Sequence, residues 1–212
     1  MQGMSVKQIA AHLGISSSTA SRWLRDVPLS DDQVAALKER NPALNGQMLG
    51  ARRLAEKARA ARAAAQDHGR ELANRGDPLH LAGCMLYWAE GSKSRNNVTF
   101  TNSDVDMVRQ FLRFLRECYG VDDDRMTLSV NVHLGNGLTL AEIESRWLSE
   151  LALSPACLRK AAVNRTSSSS LGRRPPLIYG TARLGIASTS IVQSIYGAIQ
   201  AYGELVRPEW LD

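Results

Sequence analysis

The stretch PLHLAGCMLYWAEGSKSRNNVTFTNSD (residues 78–104) passes from a helical pattern to a strand pattern. Its first part, Leu79 to Glu90, is almost continuously apolar and contains small residues, which predicts a buried helix that ends at Gly91. Pro78 is suited to the first turn of that helix, because a helix does not need the missing backbone N–H there. The following NVTFTN (residues 97–102) predicts a short strand.

The chain after this stretch continues to mix helices and strands. Ser103 is expected to cap a helix over DVDMVRQFLRFLRECYG. The further expected elements are, in order, a strand over 125–134, a helix over 139–151, a strand near 158–163, a strand over 179–188 and a helix over 189–202. Helices and strands in this order predict an α+β domain over residues 78–212, with an antiparallel sheet.

The segment before this domain, residues 46–77, is dominated by Ala, Arg, Glu and Leu. These residues favour helix, so a long exposed linker helix is predicted from about Met48 to Arg75. Two interpretations are open for this helix: a basic face that follows a DNA backbone, or a solvated spacer. The basic side chains concerned are Arg52, Arg53, Lys57, Arg59 and Arg62.

The N-terminal segment SVKQIAAHLGISSSTASRWLRD (residues 5–26) predicts two short helices on either side of a turn at Gly14. The side chains expected to face inward are Ile9, Ala10, Leu13, Ile15, Ala20 and Leu24. Ser16 or Ser17 is suited to cap the second helix. Its outward side chains are short hydroxyls and arginines, which suit base edges and phosphates in a major groove: Ser17, Ser18, Thr19, Ser21, Arg22 and Arg25. A further short helix, capped by Ser30, completes a domain over residues 1–45.

LGISSSTASRWL, within that segment, resembles the turn and recognition helix of the helix-turn-helix in bacterial regulators and recombinases. The resemblance implies that the second helix of the pair binds double-stranded DNA. The alternative is a helical hairpin whose serines face solvent.

The distribution of charge also indicates a nucleic-acid partner. The net charge is +5, and residues 1–77 hold 12 Lys and Arg against 8 Asp and Glu. Residues 151–203 contain no acid, which predicts a surface that meets phosphate. The basic residues of that stretch are Arg159, Lys160, Arg165, Arg173, Arg174 and Arg183.

The order of elements from residue 78 onward, together with AEGSKSRNNVTFTNSD, is similar to the LAGLIDADG homing-endonuclease family. Its nine-residue motif corresponds to GCMLYWAEG (residues 83–91), so that Glu90 takes the place of the metal-binding acid. Met85 stands where the family usually has a glycine, and Trp88 where an acid is common. The resemblance implies DNA contacts by Lys93, Arg95, Arg165, Arg173 and Arg174, and Arg183 of the acid-free stretch is a further expected contact.

These patterns lead to one main functional expectation and two alternatives. The main expectation is a cytoplasmic, sequence-specific DNA-binding regulator, a bacterial or phage repressor, without cofactor and either monomeric or homodimeric. One alternative is a Mg²⁺-dependent endonuclease that acts as a homodimer through Glu90. The other is an adaptor for a protein or small ligand. Outside the endonuclease alternative, Glu90 is expected to be a helix-terminal carboxylate paired with Lys93 or Arg95, and no metal site is expected.

Overall fold

The computed structural model of the chain describes residues 4–28, 30–39, 42–134, 137–165 and 177–211. Side chains are described in these ranges except at 37–39, 42–45, 134 and 165. The chain divides into two compact units, Met1–Ala58 and Arg59–Asp212. Within the described ranges, no helix is both long and apolar enough to cross a membrane.

The first unit is helical throughout its described elements. It contains α1 (Val6–Leu13), α2 (Ser17–Trp23), α3 (Asp31–Glu39) and the first part of α4 (Pro42–Asn74). Ser30 begins α3 as predicted: its hydroxyl accepts a hydrogen bond from the Gln33 N–H (3.3 Å), and its own N–H donates to the Gln33 side chain (3.0 Å). Helix α4 begins earlier than the expected Met48, at Pro42, because proline is tolerated in a first turn.

The second unit combines helices with strands, which confirms the α+β class. After the second part of α4, its elements are α5 (Pro78–Glu90), β1 (Val98–Asn102), α6 (Val105–Tyr119), β2 (Thr127–Leu134), α7 (Leu140–Leu151), β3 (Ala162–Arg165), β4 (Thr181–Ile186) and α8 (Thr189–Tyr202). A short 3-10 turn, Pro208–Trp210, follows α8.

Local side-chain caps explain where several of these helices begin. The Asp77 carboxylate accepts hydrogen bonds from the N–H groups of Leu79 (2.8 Å) and His80 (3.3 Å), just before α5. The expected cap of α6 by Ser103 is wrong. Asp104 takes that position, because its carboxylate accepts from two N–H groups of the first turn and carries the negative charge that a helix N-terminus favours.

The described strands form one four-stranded sheet in the order β1-β4-β2-β3. Strand β4 is antiparallel to both β1 and β2, whereas β2 and β3 are parallel. The expectation of an antiparallel sheet is therefore wrong for the β2–β3 pair. The chain crosses over through α7 between these two strands, so that both strands run in the same direction. Strand β3 also begins later than expected, because Leu158 forms only an isolated bridge with Leu128.

The core of the second unit lies between the inner face of this sheet and helices α5, α6, α7 and α8. Phe100 of β1 stacks on Phe111 of α6 with ring centroids 4.4 Å apart, and Phe111 contacts Phe114 at 5.5 Å. Helix α8 is the most enclosed element, because every residue from Ile191 to Gln200 is buried. Burial on all sides explains why this helix contains no charged residue.

The second part of α4 packs directly on α8. A methyl group on Gly69 would overlap the Ser194 carbonyl, and one on Gly197 would overlap the Gln66 carbonyl, so the two backbones touch. Gln66 donates to Gln193 (2.8 Å) and accepts from Gln200 (3.0 Å), both on α8. The prediction of an exposed linker helix therefore fits residues 51–61, which are exposed, but not the buried face of the second part.

Candidate nucleic-acid interface

Helices α1 and α2 are held together by a small apolar contact, in which Ile9, Ala10 and Ala20 are buried. Gly14 makes the turn between them with φ +66°, a left-handed conformation that glycine adopts without strain. The hydrogen bond from the Ile15 N–H to the Ala10 carbonyl (3.0 Å) closes the turn. The expected helix-turn-helix geometry is present.

Helix α2 begins at a serine cap, and Ser16 rather than Ser17 supplies it. The Ser16 hydroxyl accepts a hydrogen bond from the Thr19 N–H at 3.1 Å. It also lies 2.8 Å from the Thr19 hydroxyl, which keeps that side chain half-buried. The other side chains expected to face DNA are all exposed: Ser17, Ser18, Ser21, Arg22 and Arg25.

Part of the apolar side of this helix pair remains open. Leu13 was expected to face inward, but it is 48% exposed, because α1 and α2 alone do not cover the end of α1. Trp23, at the end of α2, is 64% exposed. Ile15 and Leu24 are half-buried.

The sheet of the second unit has one buried face and one open polar face. In β4, Ala182, Leu184 and Ile186 are buried, so Arg183 between them points to the other face. Arg183 lies opposite Thr101 of β1 and Ser129 of β2. Among the described residues of these strands, the open face carries no acidic side chain: its members are Thr99, Thr101, Thr127, Ser129, Asn131, His133, Ala162, Asn164, Thr181 and Arg183.

A shallow depression of about 300 Å³ lies on this open face. Arg183 and Arg159 both line it, together with Thr99, Thr127 and Ser129. Arg159 is placed by its backbone, whose N–H donates to the Leu128 carbonyl at 2.8 Å. At the far side of the face, Asn164 donates to the Asn131 side-chain oxygen at 2.7 Å, so two amides present their remaining polar atoms to solvent.

The end of α5 is organised around Lys93. Its ammonium donates to the carbonyls of Tyr87 (3.3 Å), Trp88 (2.9 Å) and Gly91 (2.8 Å), which caps the helix. Burial lowers the pKa of Lys93, and the nearby Glu90 charge partly opposes that shift. The expected ion pair of Glu90 with Lys93 or Arg95 does not form among the described residues, and Glu90 and Arg95 are exposed.

Glu90 is the acid that the LAGLIDADG resemblance assigns to a metal ion. Within the described ranges, no three His, Cys, Asp or Glu side chains lie together as a cation site. The Glu90 carboxylate is nevertheless at an exposed helix end.

The first part of α4 presents the expected basic side chains to solvent. Arg52 pairs with Glu56 at 3.0 Å, and Arg53 and Lys57 are exposed. Arg62 is held instead by the Leu211 carbonyl at 2.6 Å, so it belongs to the packing of the second unit. Arg165 ends β3, but its side chain lies outside the described residues, as do Arg173 and Arg174 entirely.

Comparison with known proteins bears on the pair of helices α1 and α2. A homeodomain-like domain model matches residues 1–27. The matched segment contains both helices of the pair and the turn between them, and it indicates DNA binding by the homeodomain-like segment. No curated protein matches the chain, and neither does any solved structure.

The sequence predicted the helix-turn-helix segment and an acid-free basic stretch that includes Arg183, but most of the open sheet face was not predicted. Arg159 was recognised only as part of an acid-free stretch, although it shares a depression with Arg183. Alternation in TLSVNVHL, with polar residues at every second position, was the signal for the face on β2. The residues of β1, β3 and β4 that share this face are distant from β2 in sequence, and they come next to it only when the strands pair.

Proposed function

We propose that the protein is a sequence-specific double-stranded DNA-binding protein that acts as a transcriptional regulator, a bacterial or phage repressor. The exposed face of α2 is the observation that carries this proposal. It combines short hydroxyls with Arg22, and the exposed Arg25 follows two residues after the helix ends, within the segment that the homeodomain-like model matches. Arginine recognises guanine through two hydrogen bonds, and short hydroxyls adapt to several base edges.

The second unit would add a LAGLIDADG-like DNA surface. In that family the strands and loops form a saddle on the duplex, and the open face with Arg159 and Arg183 offers a comparable polar, acid-free surface. Arg95, Arg165, Arg173 and Arg174 remain predicted contacts, and so does Lys93, although its ammonium caps α5. Two DNA surfaces on one chain raise affinity through effective concentration.

The first experiment is a selection of bound duplexes from a genomic library, followed by affinity measurements on the selected sequence and on bulk DNA. We expect Arg22→Ala to weaken binding to the selected sequence by about 1–3 kcal/mol if Arg22 reads a base. Arg183→Ala should weaken both kinds of DNA alike, because a phosphate contact carries no sequence information.

Arg113→Ala is the matched control, since Arg113 is an exposed arginine of α6 that pairs with Glu117 at 2.8 Å. This variant should bind as the wild type does. Absence of any preference over bulk DNA at moderate salt would contradict sequence-specific binding, and equal effects of Arg22→Ala on both DNAs would remove its role as a base reader.

A second candidate function is a Mg²⁺-dependent, homodimeric endonuclease. The observation that favours it is the position of Glu90, whose carboxylate is exposed at the end of α5. A homodimer that cuts both strands would have to bring a second Glu90 near the first. Incubation of the selected duplex with Mg²⁺ decides between the candidates: cleavage lost in Glu90→Gln supports the endonuclease, and binding without cleavage supports the regulator.

A further inference from the structure

The α5–β1 loop, residues 92–97 (SKSRNN), joins the end of α5 to the edge strand β1. Its last three side chains, those of Arg95, Asn96 and Asn97, are exposed. Arginine and asparagine are the two residue types that recognise a purine base edge through two hydrogen bonds. The loop therefore presents side chains that can read DNA sequence.

Two buried tyrosines hold the first half of this loop through its backbone. The Tyr87 hydroxyl, on α5, donates to the Ser92 carbonyl at 2.7 Å. The Tyr196 hydroxyl, on α8, donates to the Ser94 carbonyl at 2.9 Å. Both tyrosines are fully enclosed, at 0% and 1% exposure, so movement of the loop would leave their hydroxyls buried without an acceptor.

A buried glutamine holds the second half of the loop. The side-chain nitrogen of Gln193 donates to the Arg95 carbonyl at 3.1 Å and to the Trp210 carbonyl at 3.0 Å. Its side-chain oxygen accepts a hydrogen bond from Gln66 at 2.8 Å, which fixes the orientation of the amide. Arg95 is thus held through its main chain, while its guanidinium lies on the outer side of the loop.

The end of the loop is continuous with the open face of the sheet. Asn97 is two residues before Thr99, and side chains at every second position of a strand share one face. Asn97 accordingly lines the same depression as Thr99 and Arg183. The α5–β1 loop therefore extends the polar face of the sheet beyond the edge of β1.

A fixed backbone is needed to read a base but not to bind a phosphate. A phosphate contact depends on charge and carries no sequence information, so a mobile side chain can make it. Two simultaneous hydrogen bonds to a base edge require the side chain to start from a defined position. A loop that is already ordered also loses less conformational entropy on binding.

We propose that the α5–β1 loop is a preformed base-reading element of the second unit, in which Arg95 and Asn96 bind base edges of duplex DNA. Tyr87, Tyr196 and Gln193 are its positioning residues, because they bind the loop backbone from the buried side. The proposal rests on the proposed function and deepens it, since it gives the second unit a part in sequence recognition.

The test measures binding of the full chain to the selected duplex and to duplexes that each change one of its base pairs. Arg95→Ala should lower the preference at one base pair by about tenfold, and this base pair should differ from the one that Arg22 reads. Affinity for bulk DNA should fall much less. The variant should fold normally, because the Arg95 side chain is exposed and its carbonyl keeps the bond from Gln193.

Tyr196→Phe tests the positioning role, because it removes one hydroxyl and keeps the buried ring. We expect the preference at the base pair read by Arg95 to fall about fivefold, with affinity for bulk DNA unchanged. Tyr119→Phe is the matched control, since the Tyr119 hydroxyl lies 3.2 Å from the Ser194 hydroxyl within the helical layer. It should lower the thermal midpoint by a comparable amount and keep every base preference.

Three results would overturn the proposal. Equal weakening of all duplexes by Arg95→Ala would make this arginine a phosphate contact. Base preferences that are kept in Tyr196→Phe, or that are lost equally in Tyr119→Phe, would remove the positioning role. If Tyr196→Phe does not fold, Tyr87→Phe gives the same comparison at the Ser92 carbonyl.

The same measurements separate this inference from the proposed function. A wild type whose preferred duplex depends on Arg22 but not on Arg95 leaves the function standing and removes the loop as a base reader. A wild type without any preferred duplex removes the function itself, and base reading by the loop is then excluded as well.

Discussion

His80 is a buried histidine within the helical layer of the second unit. It is 2% exposed, its Nδ1 lies 2.9 Å from the Tyr202 hydroxyl, and its Nε2 lies 3.3 Å from the Tyr119 hydroxyl. Burial lowers the pKa of His80. The Asp77 charge opposes this shift, and Arg75 and His68 add to it. The neutral imidazole is therefore the form that the folded unit favours.

This burial predicts acid sensitivity. The pKa of His80 in the folded unit lies below its ordinary value of 6.5, so the unfolded chain takes up a proton first as the pH falls. The stabilising contribution is complete well above pH 6.5 and is lost as the pH falls from 6.5 to the lower pKa of the folded unit. Urea unfolding from pH 7.5 to 5.0 should show this loss, with a slope no greater than about 1.4 kcal/mol per pH unit for one proton.

The test variant is His80→Phe. His133→Gln is its matched control, because His133 is exposed on the open sheet face. His80→Phe should flatten the dependence of unfolding free energy on pH below 6.5, whereas His133→Gln should keep it. An unchanged dependence in His80→Phe would show that another group is responsible.

At the scale of elements, the close contact of α4 with α8 predicts that a glycine-to-alanine substitution changes stability differently inside and outside the contact. Gly197→Ala should destabilise the second unit by about 1–3 kcal/mol, because the added methyl meets the Gln66 carbonyl and must push the helices apart. Gly50→Ala should instead be neutral or stabilising by up to about 1 kcal/mol, since space is open around Gly50 within α4. Thermal and urea unfolding of both variants measure the contrast, and equal effects would contradict the close helix contact.

Elements whose ends carry their own signals were predictable from sequence. Helix α8 has the expected bounds, and α5 begins at Pro78 as expected, because caps and proline act within one turn. The packing of α4 was not predictable. Gly69 and Gln66 are ordinary in a polar, alanine-rich segment, and their partners on α8 lie more than a hundred residues away.

The same distinction holds for the candidate site. Arg22 and Arg25 were predictable as exposed because the whole motif is local, whereas the partial exposure of Leu13 depends on what else packs near it. Arg159 joins Arg183 only after β2 and β4 pair. Parallel pairing of β2 with β3 likewise depends on the crossover through α7 and has no signature in either strand.

At the scale of the whole molecule, the basic side chains that we expect to bind DNA come from several elements, among them α2, α4 and the open face of the sheet. We expect DNA affinity to fall steeply with salt, with each phosphate contact adding to the slope of log K against log salt. Arg53→Ala, on the exposed basic side of α4, should reduce that slope by about one. Titrations at several salt concentrations measure it.

Arg113→Ala provides the comparison for the salt titration, because it removes the same charge from a position paired with Glu117. Its slope should equal that of the wild type. A slope unchanged in Arg53→Ala would assign α4 to the role of a spacer, which was the other interpretation of this helix.

The burial of α8 on all sides sets an order of events during protein synthesis. The ribosome makes α5, β1, α6 and the rest of the sheet before α8, yet these elements enclose it. The apolar surface of the nascent second unit therefore stays exposed until α8 leaves the exit tunnel of the ribosome. The helix-turn-helix segment has by then been fully synthesised. We therefore expect folding during translation to proceed from the helix-turn-helix segment toward the sheet, with chaperone contact concentrated in the interval before α8 emerges.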